Sequence, residues 1–146
     1  MTLDIRHLGP DDERVLRRVA VGVFDHEVDP KLVSEVLRDP RHHLVVAIEN
    51  GSVVGFASGV HYVHPDKPAE LWINEVGVAP SHQRQGLGKR LLQALFARGR
   101  ELGCREAWVL TSPANGPAVR LHESVGGVDM ADPPVMFTFR LRDIRE

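Results

Sequence analysis

A single α/β domain, in which antiparallel and parallel strands share one sheet packed against helices, is the fold the sequence predicts. Three observations lead to it. Two valine-rich runs, residues 43–49 and 52–61, flank Asn50-Gly51, the strongest short-range signal for a two-residue hairpin. An apolar run at residues 70–78 is followed, after a glycine-bearing turn, by Leu87, Leu91, Leu92, Leu95, Phe96 and Leu102 at helical spacing. The remaining runs change period between strand and helix along the chain, which is the order of a layered α/β sandwich.

Each element has a local cause. Residues 2–7 alternate weakly as a strand, and Gly9-Pro10-Asp11-Asp12-Glu13 opens a helix with acids in its first turn and an inward stripe of Val15, Leu16, Val19, Ala20 and Val23. Asp29 caps a second helix that begins at Pro30, turns Leu32, Val33, Val36 and Leu37 inward and stops before Pro40. After the hairpin, residues 62–69 contain two prolines and read as a loop leading to the strand 70–78. The main helix is followed by a strand at 106–111, a break at 113–116 and a short helix carrying Ala118, Leu121 and Val125. Residues 135–141 read as a closing edge strand whose solvated side shows Thr138, Arg140 and Arg142, with Arg145 in the tail beyond.

Composition narrows the partners. A chain of 146 residues is long enough for one domain, spanning 1–146, and too short for two. Hydrophobic content of 42%, charged content of 26% and a formal charge of −2 give no support to a nucleic-acid or membrane-surface partner. Residues 1–7 have no apolar h-region, and no run approaches the ~20 residues of a membrane span, so a cytoplasmic location is expected. The single Cys104 excludes an internal disulfide and reads as a small packed residue. His61 with His64, and His42 beside His43, lack a Cys or carboxylate at zinc spacing; they read as loop and strand-end residues, and no metal is expected.

Chemistry concentrates in Gln83-Arg84-Gln85-Gly86-Leu87-Gly88, between strand and main helix. The first amides of a helix have no intrahelical acceptor and sit at the positive end of the macrodipole, so they attract anions. Gly86 and Gly88 have no Cβ to keep a pyrophosphate from the main chain, and Arg84, Lys89 and Arg90 add charge. A Walker A loop ending at Gly88-Lys89 would need glycine at Gln83 and Ser or Thr at Arg90, and a dinucleotide fingerprint starting at Gly86 would need glycine at Leu91. Neither fits. The bland alternative is a glycine-containing helix start beside solvated cations.

With the element order, this turn resembles the signature of the GNAT superfamily of acyl-CoA-dependent N-acyltransferases, Gln/Arg-x-x-Gly-x-Gly/Ala after a bulged strand. The likeness continues through Asn115-Gly116-Pro117-Ala118-Val119-Arg120-Leu121-His122-Glu123-Ser124-Val125-Gly126, similar to that family's second motif. The resemblance implies a mixed, mostly antiparallel central sheet of about six or seven strands flanked by about four helices. It implies acetyl-CoA as acyl donor, held by Gln83, Arg84, Gln85, Gly86, Leu87, Gly88, Lys89 and Asn115, with pantetheine beside Val76, Gly77 and Val78. Gly77 is the expected bulge residue, and an N–H of Val76 or Val78 would face the developing oxyanion.

An attacking amine, with a pKa near that of lysine at ~10.4, must lose a proton. Glu75, expected on the strand face of Leu71 and Ile73 with a raised pKa, is the candidate base; the alternative is a carboxylate that is merely solvated or paired with arginine. His122 stands where the family commonly has the tyrosine that protonates the leaving thiolate, so its role as general acid competes with a packing role. Asp25, Glu27 and Asp29, with Asp66, Glu70 and Glu75, suggest an acidic pocket for a small cationic amine; Asp25, Glu27 and Glu70 are the expected acceptor contacts. Residues 68–78 look like the corresponding strand of aminoglycoside 3-N-acetyltransferases. A transferase acting on protein N-termini or lysines, and a non-catalytic acyl-CoA-binding module, are the alternatives. Splayed sheet edges in this fold lead us to expect a homodimer.

Overall fold

The computed structural model describes residues 2–142. In chain order they form β1 (Leu3–His7), a 3-10 helix (Pro10–Arg17), α1 (Pro30–Arg38), β2 (His42–Glu49), β3 (Ser52–His64), β4 (Lys67–Val78), a 3-10 turn (Pro80–His82), α2 (Leu87–Glu101), β5 (Ala107–Trp108) and α3 (Gly116–Ser124). One sheet of order β1-β2-β3-β4-β5 joins the strands; β1 to β4 pair antiparallel and β5 lies parallel to β4. The mixed, mostly antiparallel sheet agrees with expectation, but it has five strands among the described residues rather than six or seven. The run at 106–111 pairs only through Ala107 and Trp108, and residues 135–141 are irregular and exposed instead of forming an edge strand. Arg145 lies outside the described residues.

Local signals explain most boundaries. Asn50 and Gly51 both have positive φ, 51° and 77°, as a two-residue turn matched to strand twist requires. The Asp29 side chain accepts a hydrogen bond from the Lys31 amide at 2.9 Å and Pro30 follows it, giving α1 a capped start. Leu32 was expected inward, yet it is 59% exposed. The first helix is 3-10 and not α. Asp12 accepts from the Gly9 amide at 2.7 Å and from Arg6 at 3.1 Å, and it holds a non-helical φ of −103°.

Residues 62–69 are not a loop. β3 runs to His64 and β4 starts at Lys67, turning through Pro65-Asp66. Pro68 is tolerated because the register breaks between Tyr62 and His64, so its missing N–H falls where the ladder is already interrupted.

Helices cover both faces. α2 lays Leu87, Leu91, Leu92 and Leu95, all buried, on one face, where Gly55 leaves only 3.1 Å between a would-be Cβ and Leu91. The 3-10 helix and the segment after it cover the other face, where Phe24 stacks on Phe56 with ring centroids 4.2 Å apart. His43, read above as a strand-end residue, is instead a core histidine with 3% exposure. Its Nε2 lies 2.7 Å from His61 Nδ1, the His7 ring lies tilted beside it with centroids 5.7 Å apart, and burial pulls its pKa down to about 4.

Candidate functional site

The site grows from a fault in β4. Ser58 of β3 pairs with Glu75 while the next residue, Gly59, pairs with Ile73, so Asn74 is an extra residue in β4. The bulge is therefore at Asn74, and Gly77 sits in regular register opposite Phe56. Gly77 is required for another reason: a Cβ there would overlap the Val23 carbonyl oxygen and come within 2.6 Å of the Phe56 ring.

An added residue reverses the face of every side chain that follows. Leu71 and Ile73 are buried towards α2, whereas Glu75 shares the face of Ser58, its partner, and is exposed. The expectation that Glu75 lies on the Leu71 and Ile73 face in a desolvated setting is thus corrected. Glu75 instead faces the side covered by the 3-10 helix and the Phe24 segment.

β5 pairs with Leu71 and Trp72 and with nothing beyond the bulge. The outer side of Val76, Gly77 and Val78 therefore borders no strand among the described residues; Gln83 Nε2 donates to the Val78 carbonyl at 3.1 Å. Arg84 and Gly86 both adopt left-handed backbone, with φ of 63° and 75°. Such conformations cost a non-glycine residue ~1–3 kcal/mol and cluster at ligand clamps. Gly86 is the N-cap of α2 with no side-chain cap, and the first intrahelical bond runs from the Arg90 amide to the Gly86 carbonyl at 3.2 Å. The amides of Leu87, Gly88 and Lys89 consequently have no partner within the helix.

A Cβ on Gly86 would meet nothing within 4 Å, and Arg84, Gln85, Lys89 and Arg90 are exposed around it. Gly88 behaves differently. Leu121 of α3 fills the space at 3.2 Å, so the missing Cβ there lets the two helices pack. Uncapped amides, an open glycine and exposed cations fit the diphosphate of a CoA ester.

A cavity of about 640 Å³ opens beside the 3-10 helix, lined by Glu13, Arg17, Phe24, His26, Glu27 and Val28 among others. Glu27 lies in this lining; Asp25 and Glu70 do not. The acidic pocket expected from six carboxylates is not formed as one unit. Asp29 caps α1, Asp66 pairs with Lys67 at 3.1 Å, and Glu70 stands 4.0 Å from His64. Glu13 and Arg17 are cavity residues that sequence reasoning missed. Glu13 read only as a first-turn acid of a helix, and no spacing signal marks Arg17.

Asn115 caps α3, its Oδ1 accepting from the Ala118 amide at 3.3 Å. His122 is half-buried on the α2 side, and burial lowers its pKa, so the neutral imidazole prevails at physiological pH. Cys104 lines the same groove, and burial pushes its thiol up, away from the reactive thiolate. Glu75 and His122 thus lie on opposite faces of the sheet, His122 in a groove with Leu71 and Ile73. Among the described residues no three His, Cys, Asp or Glu side chains converge as metal ligands, and no helix is long and apolar enough to cross a membrane.

A mixed sheet whose bulged fourth strand leads into a helix with an uncapped, open N-terminus defines the α/β domain. Residues 11–127 match the acetyltransferase (GNAT) family model, and the chain belongs to that family. It is similar to the N-alpha-acetyltransferase RimI of Mycobacterium tuberculosis, at 36% identity over 106 residues covering 71% of this chain and 63% of that protein. The chain spans under two thirds of that relative's length. In fold it resembles an aminoglycoside acetyltransferase from an uncultured soil metagenomic sample in complex with sisomicin, with TM-score 0.81 and 20% identity over 96% of this chain and 97% of that one. The aminoglycoside acetyltransferase AAC(6')-Iy, in complex with a bisubstrate analogue containing CoA, aligns with TM-score 0.76 and 23% identity over 98% of this chain and all of that one.

Proposed function

We propose that this chain, as one domain over residues 1–146, is an N-acetyltransferase that moves an acetyl group from acetyl-CoA to the primary amine of a small cationic acceptor by direct attack in a ternary complex. The observation that carries the reading is the open α2 start: left-handed Gly86 with free space around it, next to β4 backbone with no outer neighbour. Acetyl-CoA supplies a thioester carbonyl open to attack and a thiolate leaving group.

This chain's residues do the rest. Gln85, Gly86, Leu87, Gly88 and Lys89 amides and the Arg84, Lys89 and Arg90 charges hold the diphosphate, while an amide of Val76 or Val78 donates to the oxygen that gains charge. Glu75, exposed on the side of the Phe24 segment, takes the proton from the acceptor ammonium directly or through a water. Glu27 in the 640 Å³ cavity draws the cation in, while Glu13 in the same lining is paired with Arg38 at 3.8 Å. Neutral His122 donates one N–H on the thiol side.

A protein N-terminus is the second acceptor reading, favoured by the 36% identity to RimI. Thermal shift with acetyl-CoA, then thiol release over aminoglycosides, polyamines and short peptides, tests both. Turnover confined to peptides replaces the first reading with the second, and binding without turnover on any amine leaves an acyl-CoA-binding module.

A further inference from the structure

The connector between β4 and α2 is held at its first residues by packing and at its last by one side-chain pair. The Ala79 amide donates to the Val54 carbonyl at 2.8 Å, and Pro80 sits against Gly22, where a Cβ would come within 2.8 Å of its ring. His82, which closes the 3-10 turn, is gripped through its imidazole. Nε2 lies 2.9 Å from Glu49 Oε1, and Nδ1 lies 2.7 Å from the Ser81 hydroxyl. The Glu49 and His82 side chains are 20% and 19% exposed, so water competes little for the bond between them.

Turning the ring breaks both contacts. A carboxylate only accepts, so Nε2 carries its proton towards Glu49 whether the imidazole is neutral or charged, while a hydroxyl can donate to Nδ1 or accept from it. Glu49 is a firm anchor, because its backbone pairs with Leu3 of β1 on one side and Ser52 of β3 on the other. Between His82 and the Gly86 N-cap lie only residues 83–85, and Arg84 among them is left-handed, with φ of 63°. Such a conformation persists only where the surroundings over-determine it. α2 fixes one end of the turn through buried Leu87 and Leu91, and the Glu49–His82 pair fixes the other.

We propose that Glu49 and His82 are positioning residues for the acyl donor. By fixing the last residue of the 3-10 turn to the end of the β2–β3 hairpin, they keep the Arg84 backbone and the uncapped amides of Leu87, Gly88 and Lys89 in the arrangement that receives a diphosphate. The role rests on acetyl-CoA being the donor. Without the pair the turn relaxes, and the donor has to reorder it on binding, which costs affinity. Neither residue lines the 640 Å³ cavity, so loosening the pair leaves the acceptor side intact.

Titration calorimetry of the full chain with CoA tests this. Glu49→Ala should weaken CoA binding on the order of 10-fold, the size expected for a shielded hydrogen bond to a charged group. It should also speed amide exchange at residues 83–89 of the free protein. Charge alone predicts the opposite sign, because removing a carboxylate near an anion site favours the anion. Glu49→Gln, whose amide oxygen still accepts from Nε2, should return affinity to within about three-fold of wild type. His82→Leu should reproduce the Glu49→Ala loss if that variant does not fold, and the double variant should lose no more than either single one. Unchanged or tighter CoA binding in the Glu49→Ala and His82→Leu variants, or a Glu49→Gln variant as weak as Glu49→Ala, overturns the role and leaves acetyl-CoA as donor. A wild type that binds no CoA overturns the donor reading itself, and the role with it.

Discussion

The two halves of β4 have the same backbone conformation and opposite uses. From Lys67 to Ile73 the strand has β3 on one side and meets β5 on the other at Leu71 and Trp72, with Leu71 and Ile73 buried under α2. From Glu75 to Val78 it keeps β3 alone, and its side chains are exposed or half-buried. One inserted residue, Asn74, separates them. The first half spends its backbone on the sheet and its side chains on the core. The second leaves both available to ligands, at the cost of a hydrogen-bonded neighbour. A strand can therefore anchor a fold and present a site if its pairing fails at a set position, because a bulge frees backbone and re-aims side chains in one step.

Removing Asn74 tests that division most severely. Its deletion turns Glu75 to the α2 face and lets pairing run on, so thiol release should fall on the order of 10³-fold or more, combining loss of the base with misplaced donors. Activity within a few-fold of wild type would mean the bulge is not what aims the site. Within the first half, Leu71→Ala should cost ~2–5 kcal/mol in urea unfolding, because a fully buried side chain leaves a cavity beneath α2. In the second half, Glu75→Gln should reverse the pattern. Its expected cost is ~100-fold in kcat, with stability unchanged to ~0.5 kcal/mol. His122→Ala should lower turnover by less than Glu75→Gln, because a CoA thiol with pKa ~8.5 leaves readily without an acid; equal losses would put the two residues on one footing.

The smallest effect is a pH dependence on the packed side. His43 has its pKa depressed to about 4 by burial, with His61 and His7 lowered in the same sense. The unfolded chain takes up protons below pH ~6.5 that the native state refuses, so the contribution to stability is full above that value. It is lost as pH falls from there towards about 4. The melting temperature should drop over this window, and His43→Leu should flatten the drop. An unchanged slope would assign the acid sensitivity to other groups.

Much of this was legible in residue order. Asn50-Gly51, Asp29-Pro30 and the leucine stripe of α2 each act within a few residues, through positive φ, capping or helical spacing, and each formed as read; at the glycine turn Gly86 has the open backbone expected of it, whereas Gly88 does not. The misreadings came where distant segments compete. Pro65 and Pro68 suggested a loop, but strand pairing from both sides of Pro65-Asp66 overrode them. Gly77 looked like a bulge, yet its constraint comes from Phe56 and the Val23 carbonyl. His43 looked superficial and is core. The carboxylates near the acceptor side were visible as types, but not that Asp29, Asp66 and Glu70 would be engaged by a helix amide, a lysine and a histidine.

By itself the sequence determined the hairpin, the α1 cap, the leucine stripe of α2, the family resemblance and the glycine turn before α2, because these depend on dihedral preferences and spacings shorter than one helix turn or hairpin. Only the tertiary structure decided that Asn74 carries the bulge, which face Glu75 occupies, that Gly88 serves Leu121, and which side chains line the cavity. Those depend on register between strands and on packing between segments far apart in the chain, and a shift of one residue in pairing, invisible to periodicity, reverses them.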